Sequence, residues 1–487
     1  MNLQKENESL KTEIVFLKAK LDELEELVRH LHRGRFAAKS ELLSHPGMTP
    51  LFEQPAAEEP VEPDDENEIS VSPHKRSKKR KPLPKDFPRE DHILDLPEEE
   101  QACPCCQGMM KQSHEKVSEK LHIKPAEFSV KRYIRKVYSC KACEVIKEAK
   151  MPPHPIPKSG VTPESIAHIA TMKIIDGLPL HRIEQMFKRH DLDLNRDRMS
   201  RWLISIGELL KPIKEQMHRD LLAGDIFGID ETSMQVLAEE NRRPDQKSFM
   251  IVQAREGPPG KSIVLYHYEK SRAARTIEPY IQGFKGAMVS DGLSVYQNLT
   301  AEYETISHGG CLAHARRKFA EAVKGKKKRM GIAKEALLII KEVFSVEAQL
   351  KGSNNEEVAI VRAQQSRPLM DRLKELCDEN INQIPAKSLT GKALSYLNGQ
   401  WEYLTRFLDD PRLPAHNNYV EQRIRKFVIG RKAWLFAQST QGAHSAATLY
   451  SLMHTARDNG LNPYQYLCDV LLRVNAGADI KSLMPYK

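Results

Sequence analysis

The chain has 487 residues, a formal net charge of +9 at pH 7, and 29% charged residues. This length is too great for one hydrophobic core, so about three folding units are expected. The sequence has no apolar run near the roughly 18 residues that a membrane-spanning helix needs, and its start lacks the apolar core of a signal peptide. We therefore expect a cytoplasmic protein. Its basic excess favours a polyanionic partner, and its eight cysteines favour metal ligands and buried thiols over disulfides.

Leucines recur at strict intervals of seven in the first 33 residues, and isoleucine, leucine and valine fill the alternate positions of the same seam. Asn7 occupies one seam position, where a polar residue commonly fixes the register of a coiled coil. The pattern predicts a coiled coil over residues 1–33, and hence a homo-oligomer. The alternative is an amphipathic helix that packs on its own chain. The residues at the seam are Leu3, Leu10, Ile14, Leu17, Leu21, Leu24, Val28 and Leu31.

Residues 34–92 are rich in proline and charge and poor in apolar side chains, which predicts a disordered linker. An acidic stretch, Glu53–Glu68, precedes a basic one, His74–Lys81. The basic stretch either contacts DNA phosphates or is simply a solvated surface.

Two Cys-x-x-Cys pairs follow within residues 93–150, a region predicted to be a zinc ribbon. Each pair can place two sulfurs at the coordination distance of one metal ion, so we expect one structural Zn²⁺. Alternating apolar residues from Phe128 to Tyr138 predict hairpin strands between the pairs. The alternative, a redox Cys-x-x-Cys, lacks the surrounding βαβ pattern. Cys105 is left spare, and the predicted ligands are Cys103, Cys106, Cys140 and Cys143.

Residues 158–218 are predicted to be helical. Within them, Leu180–Lys188, a short polar turn and Arg196–Leu203 fit a helix-turn-helix that could bind DNA, although pairs of helices are also common in other roles. The side chains available to a groove are those of Asn195, Arg196, Arg198, Ser200 and Arg201.

Two buried strands are predicted to end in an aspartate, Ile226–Asp230 and Ala287–Asp291, with two further strands between them. Carboxylates at strand ends gather at one edge of a sheet, where active sites of α/β folds lie. A pair of carboxylates 4 Å apart repels by about 4 kcal/mol at an effective dielectric of 20, so such a cluster needs bound cations or shifted pKa values. Two Mg²⁺ (or Mn²⁺) ions would neutralise it and support an in-line phosphodiester displacement.

The third acid is expected on a later amphipathic helix. Asn417 and Asn418 are good N-cap residues, and Glu421 then falls in the first turn, one turn before Arg425. We predict that Glu421 joins Asp230 and Asp291 as catalytic residue and Mg²⁺ ligand. Other acids remain open at this point. Asp225 starts its strand, Glu231 points to the opposite face, and two lie in a turn before Pro411, namely Asp409 and Asp410.

These segments together resemble the transposases of the bacterial insertion-sequence-66 family, and the resemblance covers nearly the whole chain. It extends to the leucine-zipper-like start, to the two cysteine pairs and to Arg80–Pro84 and Leu449–Leu452. One departure is His416, where members of the family generally carry an aspartate. The motifs are Gly228–Leu237, Val289–Gly292 with Tyr296, Asn417–Glu421 and Gly430–Phe436.

The resemblance implies a ribonuclease-H-like DDE catalytic domain, residues 222–314 and 412–436, with Asp230, Asp291 and Glu421 as its triad. It implies metal-dependent cleavage and joining of DNA at the terminal inverted repeats of a mobile element, in the bacterial cytoplasm and at the nucleoid. Accessory proteins encoded by the same element are expected as partners. The alternatives are a catalytically inactive, transposase-derived zinc-ribbon protein that binds DNA, and a stand-alone nuclease.

An α-helical insertion, residues 315–411, is expected between the second and third acids, and residues 437–487 form a C-terminal helical region. Cys311–Phe319 resembles a Cys-x-x-His element of several DDE transposases, but it lacks the second pair of ligands that a zinc site needs. His314 is predicted to position the site or, alternatively, to be structural. The residues expected to contact DNA or support the site are His314, Arg316, Arg317, Asn417, Asn418, Arg425, Arg431 and Lys432.

Overall fold

A computed structural model describes residues 89, 91, 128–139, 146–258, 260–323 and 331–486 of the chain. The chain divides into two compact units, and the described residues from Pro152 onward belong to the larger one. The heptad leucines, the charged linker apart from residues 89 and 91, and all five cysteines of the predicted zinc ribbon lie outside the described residues, so those predictions remain predictions. Among the described helices, none is both long and apolar enough to cross a membrane.

The smaller unit contains an antiparallel hairpin of β1 (Val137–Ser139) and β2 (Ile146–Glu148), in which Ser139 lies opposite Ile146. The predicted strand region was too long, because residues 128–136 have no strand partner among the described residues. Its apolar side chains are exposed, with Phe128 at 45% and Val130 at 88%.

Four helices open the larger unit, and the expected continuous helical region is broken three times. Thr162 caps α1 by accepting the Ser165 N–H, and Gly177, at φ +72°, turns the chain after that helix. The predicted bounds of α2 are confirmed, whereas α3 runs six residues beyond the predicted Leu203. The four helices are α1 (Pro163–Ile174), α2 (Leu180–Lys188), α3 (Arg196–Leu209) and α4 (Lys211–Leu222).

The central sheet is mixed, with the strand order β5-β4-β3-β6-β7. β4 runs antiparallel to both β3 and β5, whereas β3, β6 and β7 are parallel to one another. A short strand, β8, pairs parallel with the far end of β3. The strands are β3 (Ile226–Ala238), β4 (Lys247–Arg255), β5 (Ile263–Glu269), β6 (Gly286–Val289), β7 (Ile306–Gly309) and β8 (Ala437–Ser439).

The prediction that the first of these strands ends at Asp230 was wrong. β3 continues to Ala238, because β4 pairs with it as far as Gln235 and β8 pairs with Val236 and Ala238. These partners are distant in sequence, so no local pattern marks the true end. β6 does stop at Val289, opposite Gly228, and therefore its following aspartate comes level with the middle of β3.

Eleven α-helices lie among the described residues after β5. Those from α8 to α12 form most of the predicted insertion, and together with α7 they enclose a separate hydrophobic core that includes Phe319, Ile340, Leu373 and Leu394. The helices are α5 (Ala274–Ile277), α6 (Ser294–Ala301), α7 (Leu312–Val323), α8 (Ile332–Gln349), α9 (Asn355–Val361), α10 (Arg367–Asn380), α11 (Leu389–Gly399), α12 (Trp401–Thr405), α13 (Asn418–Trp434), α14 (Thr440–Asp458) and α15 (Pro463–Val474).

The outer edge of β5 is covered by polar side chains of α14. Thr455 Oγ1 bonds both the N–H and the C=O of Val264 at 2.9 Å, and Ser451 Oγ accepts the Tyr266 N–H at 2.8 Å. Asn459 does the same for both backbone groups of Ser262. Four residues of helix rise about 6 Å and two residues of strand about 6.8 Å, so the two spacings match. The sheet edge is thus closed by a helix instead of a strand.

Candidate active site

Asp230 lies in the middle of β3 and is only 9% exposed. Its Oδ1 accepts the Glu231 N–H at 2.7 Å. Burial raises the pKa of Asp230 well above its ordinary value, and the charges of Asp291, Glu231 and Glu421 raise it further. The two other predicted acids are therefore electrostatic neighbours of Asp230, although they lie far from it in sequence.

Asp291 is placed by the buried pair Ser290 and His308. Ser290 Oγ donates to the carbonyl oxygen of Asp291 at 2.9 Å and lies 2.8 Å from His308 Nε2. The other ring nitrogen of His308 is 2.9 Å from Thr300 Oγ1. Burial lowers the pKa of His308 to about 4, so the ring is neutral at pH 7 and fixes this segment as an uncharged bridge.

Glu421 lies in the first turn of α13, as predicted, but its carboxylate faces α7. Its Oε2 is 3.1 Å from Arg317 Nη2, while its Oε1 is 3.7 Å from His314 Nδ1 and 4.0 Å from Cys311 Sγ. The Arg317 and Glu421 side chains are 56% and 20% exposed. An ion pair at this exposure contributes little to the stability of the fold.

The start of α13 approaches β3 closely, and Gly228 permits this approach. A Cβ atom at Gly228 would lie 2.6 Å from Val420 Cγ2 and would also collide with the Asn417 side chain. Any residue other than glycine would push the helix away from the strand that carries Asp230. The close approach of α13, which carries Glu421, to β3 thus depends on a glycine two residues before Asp230.

Asn417 is the N-cap residue of α13, as predicted, but its side chain makes no capping hydrogen bond. Its Nδ2 donates to the Ile229 carbonyl oxygen at 3.0 Å, and its backbone N–H donates to Cys311 Sγ at 3.2 Å. Its buried Oδ1 has no hydrogen-bond partner among the described residues. The partners lie more than a hundred residues away, so sequence reasoning found only the local role. Asn417 joins α13 to the strand beside Asp230.

The competing acids have other partners. Glu231 accepts the Tyr296 hydroxyl at 2.7 Å and lies 3.2 Å from Arg272, so both of its oxygens are occupied. Burial raises its pKa, and the charge of Asp291 contributes, so Glu231 lies nearer the other acids than its strand position predicted. In the turn before α13, Asp409 pairs with Arg367 and Asp410 with Arg412.

The predicted DNA-contacting residues fall into two groups. Arg316 on α7 and Arg425 and Lys432 on α13 are exposed. Arg431 instead bonds β3, through the Thr232 hydroxyl at 3.1 Å and the Ser233 carbonyl oxygen, so it supports the sheet. Asn418 is the first residue of α13, and Arg317 and His314 face Glu421. His416, which stands where members of the resembled family generally carry an aspartate, is half-buried, and its ring lies 5.6 Å from that of Phe344.

In the predicted helix-turn-helix, Asn195 caps α3 by accepting the Asp197 N–H at 2.7 Å, so it serves the helix rather than a groove. The α3 arginines Arg196, Arg198 and Arg201 are exposed. α3 extends to Leu209 because its C-terminal half packs on α14, where a Cβ at Gly207 would collide with Ser445.

Sequence reasoning missed a contribution from the insertion. Tyr396 of α11 lies against Gly292, where a Cβ would come within 2.7 Å of the tyrosine hydroxyl, and Gln400 bonds Gln297 of α6. The charge of Asp291 contributes to raising the pKa of Tyr396. The one available signal was Gly292, directly after Asp291, which leaves space for a side chain from a distant element.

The donor set of the three acids fits a hard divalent cation, because Mg²⁺ and Mn²⁺ prefer carboxylate oxygens. Burial and like charge at Asp230 are the conditions that such a cation relieves. The three carboxylates are not drawn together within 4.8 Å in this conformation of the described chain. A cation held by all three would require Glu421 to turn away from α7.

Comparison with known families and proteins gives a consistent assignment. The profile described as "Transposase IS66 family" matches residues 158–445, and that of the "IS66 C-terminal element" matches residues 451–486. The "zinc-finger binding domain of transposase IS66" matches residues 100–144, and "Transposase C of IS166 homeodomain" matches residues 23–91. The zinc-finger match, residues 100–144, spans all four predicted zinc ligands.

Two proteins of Sinorhizobium fredii (strain NBRC 101917 / NGR234) are similar over much of their length. "Uncharacterized protein y4jD" is 31% identical over 99% of this chain and 97% of its own length. "Uncharacterized protein y4qI" is 31% identical over 76% of this chain and 70% of its own length. The mixed five-strand sheet is consistent with a DDE catalytic domain. Since the first profile covers more than half of the sequence, the chain belongs to the insertion-sequence-66 (IS66) family of DDE transposases.

Proposed function

We propose that this protein cleaves DNA strands at the terminal inverted repeats of an insertion sequence and joins them to a target, with Asp230, Asp291 and Glu421 as the catalytic triad. The observation that carries the proposal is the electrostatic convergence of the three acids, since both Asp291 and Glu421 raise the pKa of the buried Asp230. The sheet order, with three antiparallel strands followed by two parallel ones, supports a ribonuclease-H-like catalytic domain with a helical insertion.

In this proposal the three carboxylates hold two Mg²⁺ or Mn²⁺ ions. When bound, two such ions supply charge neutralisation for the attacking and leaving oxygens of a phosphodiester displacement. Asn417 keeps α13 against β3, and the Ser290–His308 bridge keeps Asp291 in place. Arg317 holds Glu421 until the carboxylate turns toward the aspartates.

The exposed cations of α7 and α13 are the proposed DNA contacts. Arg316, Arg425 and Lys432 lie on the two helices that flank Glu421, so phosphates bound there would lie beside the acids. Further contacts are proposed from the exposed arginines of α3, and one structural Zn²⁺ is proposed at the four cysteines. The coiled coil at residues 1–33 would join copies of the chain, and accessory proteins of the same element remain proposed partners.

The direct test is strand cleavage and joining on a supercoiled plasmid that carries the inverted repeats found beside the reading frame, with Mg²⁺ present. Asp230→Asn should reduce cleavage by about a thousandfold or more, because metal-assisted charge stabilisation contributes several kcal/mol to the transition state. The exposed Asp225, at the start of the same strand, gives the control Asp225→Asn, which should retain activity.

Equal cleavage by wild type and Asp230→Asn would disprove the triad. A wild type that binds DNA in a salt-dependent manner, with no cleavage and no effect of the triad substitutions, would favour the inactive DNA-binding alternative. Cleavage without joined products would favour a nuclease.

A further inference from the structure

Three metal-binding side chains of different chemistry meet at the start of α7. The ligand atoms of Cys311, His314 and Glu421 all lie within 4.8 Å of one another, and this is the one such grouping in the part of the chain that the structure describes. His314 Nδ1 lies 3.7 Å from Glu421 Oε1, and Cys311 Sγ lies 4.0 Å from the same oxygen. Ligand atoms around a tetrahedral zinc ion, with bonds of about 2.0–2.3 Å, stand roughly 3.5 Å apart. The two pairs that include Glu421 Oε1 are therefore within about half an ångström of tetrahedral spacing, and the sulfur and the imidazole ligand atom lie within 4.8 Å of each other.

The groups that remain around these ligands fit a second coordination layer. Arg317 occupies Glu421 Oε2 and leaves Oε1 facing the thiol and the imidazole. The Asn417 N–H donates to the buried sulfur, as donors around metal-bound thiolates do. Within the described residues the buried His314 Nδ1 has no hydrogen-bond partner, which leaves its lone pair available in one tautomer.

The sequence alone argued against zinc here, because Cys-x-x-His supplies only two ligands. The fold adds the third from a helix more than a hundred residues later. Cysteine, histidine and glutamate together suit zinc, whereas Mg²⁺ prefers oxygen alone. We propose that Cys311, His314 and Glu421 form a binding site for a zinc-like divalent ion, with water as the fourth ligand.

Burial raises the pKa of the Cys311 thiol to about 11, so the thiol is protonated in the metal-free protein. On binding, the sulfur forms its bond to the ion and releases its proton to solvent.

An ion at this site inhibits strand cleavage, since it holds the carboxylate of Glu421 on the α7 side. This consequence rests on the proposed function, in which Glu421 must reach the ions held by Asp230 and Asp291. Zinc and magnesium then compete for one side chain, and the zinc-bound state is a resting form of the transposase.

The site is tested first without any assay of activity. The full-length protein is equilibrated with Zn²⁺, passed through a desalting column, and its zinc content per chain is measured by mass spectrometry. Wild type should retain one more zinc per chain than Cys311→Ser, and His314→Gln should show the same loss. The matched control is Cys377→Ser, because Cys377 is equally buried but its thiol lies in the core of the insertion and donates to the Leu394 carbonyl oxygen. Circular dichroism verifies the fold of each variant.

Cleavage in Mg²⁺ is then measured against added Zn²⁺. The cleavage rate of each protein is expressed relative to its own rate without zinc. The zinc concentration that halves this relative rate should be at least about tenfold higher for Cys311→Ser than for wild type. Equal zinc content in wild type and Cys311→Ser would overturn the site. A difference in content together with equal sensitivity to zinc would overturn the inhibition. A difference in content with a wild type that never cleaves would leave the site standing and remove the proposed function.

Discussion

Two buried carboxylates, one within β3 and one directly after its end, have opposite surroundings. Asp230, in the middle of β3, and Glu239, directly after its end, are 9% and 7% exposed. Asp230 has other carboxylates as electrostatic neighbours, and its pKa is raised well above normal. Glu239 instead accepts the hydroxyls of Ser248 and Tyr268 and pairs with Arg242 at 2.7 Å.

The surroundings of Glu239 favour stability, whereas those of Asp230 favour a functional role, although both residues belong to β3 or directly follow it. At Glu239 every charge is matched by donors, which is how a protein buries a carboxylate without losing stability. At Asp230 burial and the neighbouring carboxylates penalise the charged form, which lowers the stability of the folded chain and, in the proposed function, favours the binding of cations. Four substitutions or conditions can sharpen or break this contrast.

The largest expected effect on the free energy of unfolding is at Glu239. Glu239→Gln removes the charge that faces Arg242, and breaking a buried ion pair leaves its partner uncompensated. We expect the free energy of unfolding to fall by about 4 kcal/mol. Urea denaturation would measure it, with Glu240→Gln as the control, because Glu240 is the exposed neighbour. Equal stability of the two variants would show that the network around Glu239 contributes nothing.

His308, whose two ring nitrogens both have hydrogen-bond partners, lies near the acids, and its contribution to the free energy of unfolding depends on pH. Its folded-state pKa, about 4, is below the ordinary 6.5, so its contribution is complete above pH 6.5 and is lost as the pH falls toward 4. The facing groups are Ser290, Thr300, the Tyr403 ring and the Arg406 charge, of which only Arg406 carries charge.

From pH 7 to pH 4 this residue should cost wild type about 3 kcal/mol of unfolding free energy that His308→Asn does not lose. Denaturation at a series of pH values gives the difference between the two proteins. The exposed His181, as His181→Asn, should leave the wild-type pH profile unchanged. Parallel profiles for wild type and His308→Asn would contradict the buried, neutral ring.

How far the sequence predicts such arrangements depends on where the partners lie. The bounds of α2 and the position of Glu421 in the first turn of α13 follow from local patterns, and the structure reproduces them. The length of β3 depends on pairing with β4 and β8. The bond from Asn417 to Ile229 spans 188 residues. Local periodicity carries no information about either.

The surroundings of each acid were harder to predict than its identity. Alternation along β3 placed Glu231 on the face opposite Asp230, yet Tyr296 and Arg272 bind it and Asp291 raises its pKa. Tyr396 reaches the site from the insertion, across a hundred residues. The chemistry of metal binding suggested three acids, but only the folded chain reveals that Glu421 faces Cys311 and His314.

Added Mg²⁺ should raise the free energy of unfolding only through the acids around Asp230. A ligand that binds only the folded state at about a hundred times its Kd raises the unfolding free energy by about 2.7 kcal/mol. Wild type and Glu239→Gln should both gain this stability, whereas Asp230→Asn and Asp291→Asn should gain almost none. Thermal unfolding at increasing Mg²⁺ concentration is the measurement. An equal gain in all four proteins would place the binding of Mg²⁺ elsewhere.

The smallest effect has the most informative sign. Without Mg²⁺, Asp230→Asn should raise the unfolding free energy by about 1 kcal/mol at pH 8, because it replaces a carboxyl group whose charged form is penalised by burial and by neighbouring carboxylates. The Oδ1 of asparagine can still accept the Glu231 N–H, so the variant keeps the hydrogen bond of the wild-type side chain.

The same substitution should abolish cleavage, so one change would stabilise the protein and inactivate it. Neither ordinary structural damage nor an inert surface site gives that combination. Denaturation in metal-free buffer, alongside Glu239→Gln as the variant of opposite sign, decides the matter. If Asp230→Asn is less stable than wild type, the repulsion at Asp230 is already relieved within the chain, and the contrast between Asp230 and Glu239 fails.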